Sequence, residues 1–196
     1  MEKTIVLATS NQGKVLEFQN LLSPLGYRVL SLKEAGIVSN PVENGKTYRE
    51  NSYIKALDAA KKTNFPVLAD DSGLEIEALG NRPGIHTARF AKENGGYPAV
   101  FQKIFGELEG KKNRNAAFHC CLCFLEAPNA EPLFFEGVCP GSILFEAKGA
   151  HGFGYDPIFH SDEAGLDFGE ADEETKNKYS HRGKASRKFQ EYLLTK

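Results

Sequence analysis

Ile5-Val6-Leu7-Ala8-Thr9-Ser10-Asn11-Gln12-Gly13-Lys14 is an apolar run that gives way to small polar residues, a Gly-Lys pair and an amphipathic stretch. A strand that ends this way and feeds a helix opens an α/β unit. It also makes an anion site. The first backbone N–H groups of a helix lack intrahelical partners, and that end of the helix dipole is positive. A phosphate seated there satisfies both. Lys14 would add a point charge, Gly13 would let backbone approach closely, and Asn11 could bond a phosphate or a base edge. The spacing is not that of a P-loop. An ordinary capped helix start explains the same residues, and the segment by itself leaves both readings open.

Outward from it, strands and helices alternate. Lys3 to Thr9 reads as a buried strand, and Gly13 to Leu22 as a helix with Val15, Phe18 and Leu22 on one face. Pro24 and Gly26 end it, and Tyr27 to Ser31 is a second strand. Thr47-Tyr48-Arg49-Glu50 has capping-box form, with Tyr53, Ala56, Leu57 and Ala60 at helical spacing behind it. Pro66 to Ala69 reads as a short strand that delivers Asp70 and Asp71 to its end, and Leu74 to Leu79 as another. Asn81-Arg82-Pro83-Gly84 reads as a turn, and Pro98 to Glu109 as a helix. Ala116 to Glu126 and Leu133 to Cys139 are strands around the hairpin loop Pro128 to Pro132, with Ser142 to Glu146 a third strand. Ala150 to Asp156 is a Gly-rich loop, Asp172 to Lys178 a short charged helix, and Lys184 to Leu194 the last helix. Early alternation followed by hairpin pairing predicts an α/β fold with a mixed sheet.

Composition narrows the class. The chain of 196 residues supports a sizeable core without staples. A hydrophobic fraction of 41%, a charged fraction of 26% and a net charge of −2 are ordinary for a globular protein. No basic block suggests a nucleic-acid surface, and no apolar run is long enough to span a bilayer. Met1-Glu2-Lys3-Thr4 lacks the apolar region of a signal peptide, so the expectation is a cytoplasmic protein. Cys120, Cys121 and Cys123 beside His119 have the look of a metal site. Neighbouring side chains on a strand point to opposite faces, however, and so do Cys120 and Cys123, three residues apart. With Cys139 they read as small core hydrophobes.

Asp70-Asp71-Ser72-Gly73 places two carboxylates and a hydroxyl together. Neighbouring carboxylates repel, so the pair favours a nearby cation, and Mg²⁺ binds through one or two carboxylates plus phosphates. A turn with solvated acids is the alternative. Phe153-Gly154-Tyr155-Asp156 offers an aromatic face for a purine with a carboxylate beside it, or else an apolar loop packed into the core. Lys176, His181 and Arg182 lie close together near the C-terminus, where a solvated charged face is the plain alternative.

Thr9 to Lys14, Ala69 to Leu74, Arg82-Pro83-Gly84-Ile85, Gly152 to Pro157 and Ser180 to Gly183 occur in this order. Together they resemble the inosine triphosphate pyrophosphatase family, which removes noncanonical purine nucleoside triphosphates, in its bacterial form. The similarity covers nearly the whole chain. It implies a fold with an elongated mixed β-sheet, flanking helices and two lobes around a substrate cleft, the whole acting as one domain over residues 1–196. It implies hydrolysis of ITP, dITP and XTP to the monophosphate and pyrophosphate, with Mg²⁺ as cofactor and a homodimer as the assembly. Asp71 matches the family's proton acceptor and a metal ligand, and Glu43 a second acid that reaches the metal. Thr9, Ser10, Asn11, Gln12, Gly13, Lys14, Ser72, Phe153, Gly154, Tyr155, Asp156, Lys176, His181 and Arg182 match substrate-binding positions. Glu50 is explained by the capping box, whereas a phosphate contact from Lys55 is left open.

Two departures stand out: Ser10, where many relatives carry Gly, and Cys139-Pro140-Gly141, where close bacterial relatives have Trp-Pro-Gly. Two rival readings are a Maf-like pyrophosphatase acting on other nucleotides and a catalytically silent nucleotide-binding module.

Overall fold

The computed structural model describes residues 3–196; Met1 and Glu2, part of the segment read for a signal sequence, lie outside the described residues. The opening motif folds as β1 (Lys3–Leu7), α1 (Gln12–Leu22) and β2 (Tyr27–Ser31), and β2 pairs parallel with β1 from Lys3↔Tyr27 to Leu7↔Ser31. Helix α1 starts at Gln12 because Asn11 caps it, its side-chain oxygen accepting from the Lys14 N–H at 3.2 Å. Val15, Phe18 and Leu22 are buried at helical spacing. Next comes α2 (Tyr48–Ala60), capped by Thr47, whose Oγ1 accepts from the Glu50 N–H at 3.1 Å. The Glu50 carboxylate reaches back to the N–H of Lys46, one residue before the cap, so the capping box holds with its return bond shifted outward.

The largest departure from the sequence reading is β3 (Val67–Ile76). Two strands separated by an acidic turn were expected; one unbroken strand of ten residues runs straight through Asp70-Asp71-Ser72-Gly73. It pairs parallel with β1 at Val6↔Val67 and Leu7↔Leu68. Acids and glycine are depleted in strands, and here each acid is paired with a lysine. Gly73 is needed for a packing reason: a Cβ there would lie 2.1 Å from the Gly84 carbonyl oxygen and 2.8 Å from Thr87 Oγ1. The expected turn at residues 81–84 contains β4 (Arg82–Pro83), antiparallel to β3.

Helix α3 (Thr87–Glu93) was not anticipated. It is only seven residues long, buries Ala91 alone and has no side-chain cap, so it leaves no periodic trace. The anticipated α4 (Tyr97–Glu107), β5 (Asn115–Leu125) and β6 (Leu133–Ile143) follow. Strand β6 absorbs the start of the stretch read as a separate strand. It continues through Pro140-Gly141 and pairs antiparallel with β7 (Phe159–Ser161), at Gly141↔Ser161, Ser142↔His160 and Ile143↔Phe159. Residues 150–155 form the expected loop. Then β8 (Leu166–Asp167) pairs antiparallel with β7, and α5 (Glu173–Tyr179) and α6 (His181–Leu194) complete the chain. Among the described residues the strand order is β2-β1-β3-β5-β6-β7-β8, with β4 on β3. Parallel pairs at β1 and antiparallel pairs at β7 make it the mixed α/β sheet that was expected.

The chain divides into two compact units. The first comprises the stretch ending at Asp71, Cys121–Glu136 and Ala185–Lys196. In its core Ala56, Ala59 and Ala60 of α2 meet Val6, Val67, Ala69, Cys123 and Leu125. The second comprises Ser72–Cys120 and Gly137–Lys184, with Leu74, Ile76, Val100, Ile104, Phe118, Phe159 and Phe168 in its core. No helix among the described residues is long and apolar enough to cross a membrane.

Candidate active site

In the first unit, alternation along β3 sends Asp70 and Asp71 to opposite faces. The pair read as sharing one cation is therefore split, and each acid has its own lysine. Asp70, 1% exposed, is ion-paired with Lys14 from the first turn of α1. Asp71, 6% exposed, accepts through Oδ1 from Lys55 Nζ at 2.6 Å. Lys55, from the middle of α2, also donates to the Asp70 carbonyl oxygen at 2.9 Å and lies 3.1 Å from Glu43 Oε2. Glu43 is thus brought to Asp71 through Lys55. Its loop is fastened by Asn51, whose buried Oδ1 accepts from the Gly45 N–H at 2.9 Å.

The electrostatics follow from these contacts. Burial pushes the Asp71 carboxyl above the usual carboxylate range; Lys55 and then Lys14 oppose that rise, and Glu43 adds to it. Burial disfavours the Lys55 ammonium, but Asp71 and Glu43 outweigh it and hold its pKa above the ordinary lysine value. The other carboxylate oxygen of Asp71, Oδ2, is buried with no hydrogen-bond partner among the described residues. A buried acceptor in that state is costly and calls for a proton, a water or a cation.

In the second unit, Ser72 Oγ accepts from the Arg182 guanidinium at 3.0 Å. His181 and Arg182 open α6 and are buried, although the sequence placed them before that helix. The His181 ring lies parallel to Phe118, 4.7 Å between centroids and 11° between planes. Asp156 Oδ2 accepts from Lys176 Nζ at 2.7 Å and from the Phe153 N–H at 2.8 Å. Lys176 and Arg182 both stand over the half-buried Phe153 ring, at 4.6 and 5.6 Å from its centroid. Gly152, at φ +73°, leaves room for this arrangement: a Cβ would lie 2.2 Å from Asp156 Oδ2. One aromatic face, two cations and a positioned carboxylate suit a flat ligand with polar edges.

A family model of the Ham1 family matches residues 5–192. The chain belongs to the Ham1 family. It is 44% identical over 188 residues to the dITP/XTP pyrophosphatase of Haemophilus influenzae, covering 94% of this chain and 96% of that one. It is 42% identical over 193 residues to the dITP/XTP pyrophosphatase of Bacillus subtilis, covering 97% of each. Among solved structures, a HAM1 protein from Coxiella burnetii superposes with a TM-score of 0.89 at 40% identity, covering 99% of this chain and 100% of that one. The Staphylococcus aureus Ham1 protein gives 0.86 at 36%, covering 98% and 99%.

In this Ham1 family chain the residues singled out from sequence separate into two sets. Lys14, Glu43, Lys55 and Asp71 come together in the first unit, where Ser10, Asn11 and Gln12 are exposed and Thr9 and Gly13 half-buried. Thr9 Oγ1 accepts from the Asn11 N–H at 3.2 Å, and Asn11 Oδ1 serves the helix cap. Ser72, Phe153, Asp156, Lys176 and Arg182 come together in the second unit. Tyr155 instead packs in that unit's core, 2% exposed, with its hydroxyl donating to the Thr87 carbonyl at 3.0 Å. The less buried aromatic ring of the motif is thus that of Phe153. Sequence reasoning passed over the partners: Asp70 for Lys14, Asn51 for the Glu43 loop and Phe118 for His181.

Proposed function

We propose that this protein hydrolyses noncanonical purine nucleoside triphosphates, ITP, dITP and XTP, to the monophosphate and pyrophosphate, and so clears deaminated purines from the nucleotide pool. The reading is supported by the names of its Ham1 family relatives and by a single observation above the rest. Asp71 is held by Lys55 through one oxygen, while its other oxygen is buried without a hydrogen-bond partner among the described residues. That is a base fixed in place with an acceptor to spare. Water would give a proton to Asp71 Oδ2 as its oxygen bonds to the α-phosphorus. The bond from that phosphorus to the bridging oxygen then breaks, and the electron pair leaves with pyrophosphate. Lys14 and the start of α1 take the phosphates in this reading; Phe153, Lys176, Asp156, His181 and Arg182 take the base.

A divalent cation fits the residues present. Among the described residues no group of three or more His, Cys, Asp and Glu could hold a metal. Mg²⁺ asks for less, namely one or two carboxylates completed by waters and substrate phosphates. Asp71, with its unsatisfied oxygen, and Glu43, with a side chain 40% exposed, would hold it. When bound it supplies charge neutralisation of the triphosphate. We further propose that residues 1–196 act as one domain, in the cytoplasm, as a homodimer, the commonest symmetric assembly. Light scattering at micromolar protein tests the dimer, and a monomer mass refutes it.

A pyrophosphate-release panel over ITP, dITP, XTP, GTP, ATP and the pyrimidine triphosphates tests the function. Pyrophosphate from the deaminated purines, abolished by EDTA, is the expected result. Orthophosphate as the product would place the attack at the terminal phosphorus and sink the reading. Preference for pyrimidines would favour the Maf-like alternative, and binding without turnover the silent module.

A further inference from the structure

We infer that Asp70 is a positioning residue that divides the work of the two lysines: its carboxylate aims Lys14 at the triphosphate, and its backbone carbonyl holds Lys55 on Asp71. The inference rests on the proposed pyrophosphatase function and concerns the same site. An ammonium has three donors. Lys55 donates to the Asp70 carbonyl and to Asp71 Oδ1, and is ion-paired with Glu43 Oε2 at 3.1 Å. These contacts tie Lys55 to the base. Lys14 gives one donor to Asp70 and sits in the first turn of α1, where helix N–H groups favour an anion. Lys14 is therefore the lysine with donors to offer a phosphate.

The anchor matters because a lysine stem is long and flexible, and ordering it on binding costs free energy. Asp70 has no such freedom: its side chain is fully buried within β3. Pairing with it orders Lys14 before the triphosphate arrives, which lowers the cost of binding. A merely structural account fares worse, since a buried ion pair adds little net stability over apolar residues of similar volume. Asp70 thus touches both lysines, one through its side chain and one through its backbone, and a side-chain substitution alters only the first contact.

A double-mutant cycle tests this. Asp70→Asn should raise the KM for ITP and the inhibition constant of pyrophosphate together, by roughly tenfold, with kcat changed less than about threefold. In a Lys14→Met background the same substitution should add less than about twofold to either constant, because the residue acts through Lys14. Multiplying effects, a KM that does not move, or a loss confined to kcat would overturn the inference. If Asp70→Asn does not fold, the Lys14→Met/Asp70→Leu protein replaces the ion pair with hydrocarbon. It should match Lys14→Met in KM, and a further large rise would overturn the inference equally. Wild-type protein that releases no pyrophosphate from ITP would instead overturn the proposed function, so the two failures are distinguishable.

Discussion

Asp71 carries the chemistry proposed here, and its surroundings say how a substitution should behave. Asp71→Asn keeps the shape of the side chain and leaves Lys55 with Glu43 and the Asp70 carbonyl. The fold should survive, and turnover should fall by ~10²–10⁴, the range for losing a general base. Near-normal rates would move the base elsewhere. Because burial pushes the Asp71 carboxyl up and a base must be ionised, activity should fall on acidification at a pH above the ordinary aspartate value. Lys55→Met removes the cation that opposes that rise, so the acid limb of kcat/KM should shift to higher pH; a limb that stays put would separate Lys55 from the base. Base selection is the other residue-scale question. Hypoxanthine and xanthine present a keto oxygen at purine position six, where adenine presents an amino group. Donors aimed there face adenine's N–H groups unpaired, and such a mismatch discriminates by ~10⁴ or more. Guanine shares the keto oxygen, so preference for ITP should be larger over ATP than over GTP. Arg182 is a candidate donor, buried and held at Ser72 Oγ. Arg182→Ala should cost ITP and XTP turnover far more than residual ATP turnover. A stability defect lowers the active fraction equally for every substrate, so the ratio isolates recognition; an equal loss on all three would assign Arg182 to the phosphates or the fold.

Elements with strong periodicity and caps were legible in the sequence: β1, α1, α2, α4, β5 and α6 lie within a few residues of their expected bounds. What the sequence hid has physical causes. Asp-Asp-Ser-Gly reads as a turn because those residues rarely suit strands, yet β3 persists because Lys14 and Lys55 arrive from α1 and α2 to neutralise the acids. Those partners are 56 and 16 residues away, beyond the reach of local pattern. Helix α3 and strands β7 and β8 are too short to show a period. The candidate site residues stand out as motifs, whereas their pairings do not, since pairing is tertiary. The loop that carries Glu43 illustrates the difference. Its hold on α2 runs through Asn51 Oδ1 and the Gly45 N–H, a buried bond that no spacing rule predicts. Asn51→Ala should cost about 1 kcal/mol, lowering Tm by about 2–4 °C for a chain of this size. It should also raise the metal concentration needed for half-maximal activity, because Glu43 loses its fixed approach. Gly45→Ala should act the same way, since its Cβ would lie 2.6 Å from Asn51 Oδ1. Loss of stability with an unchanged metal requirement would make the bond purely structural.

On the scale of the whole molecule, composition excluded more than it selected: the near-neutral charge argued against a nucleic-acid partner, and the cysteines argued against a metal-stapled fold. The cysteines now offer a test of how the molecule opens. None of the four is in a disulfide and all are buried, with Cys121 and Cys123 in the first unit and Cys120 and Cys139 in the second. Cys139 packs in the second unit's core with Sγ 3.5 Å from Ser161 Oγ. Burial pushes the Cys121 thiol up to about 11 and the Cys123 thiol to about 12, and it raises Cys139 as well. The thiolate is the nucleophile, so these groups are inert for two reasons, protonation and lack of access. At about pH 8 a disulfide reagent should therefore find no fast thiol in the native protein and all four once it is unfolded. Slow labelling under native conditions then reports the opening of each unit, and its rate should rise with denaturant as that unit loosens. A thiol that reacts within seconds in the native state would show that its strand opens far more readily than this packing allows.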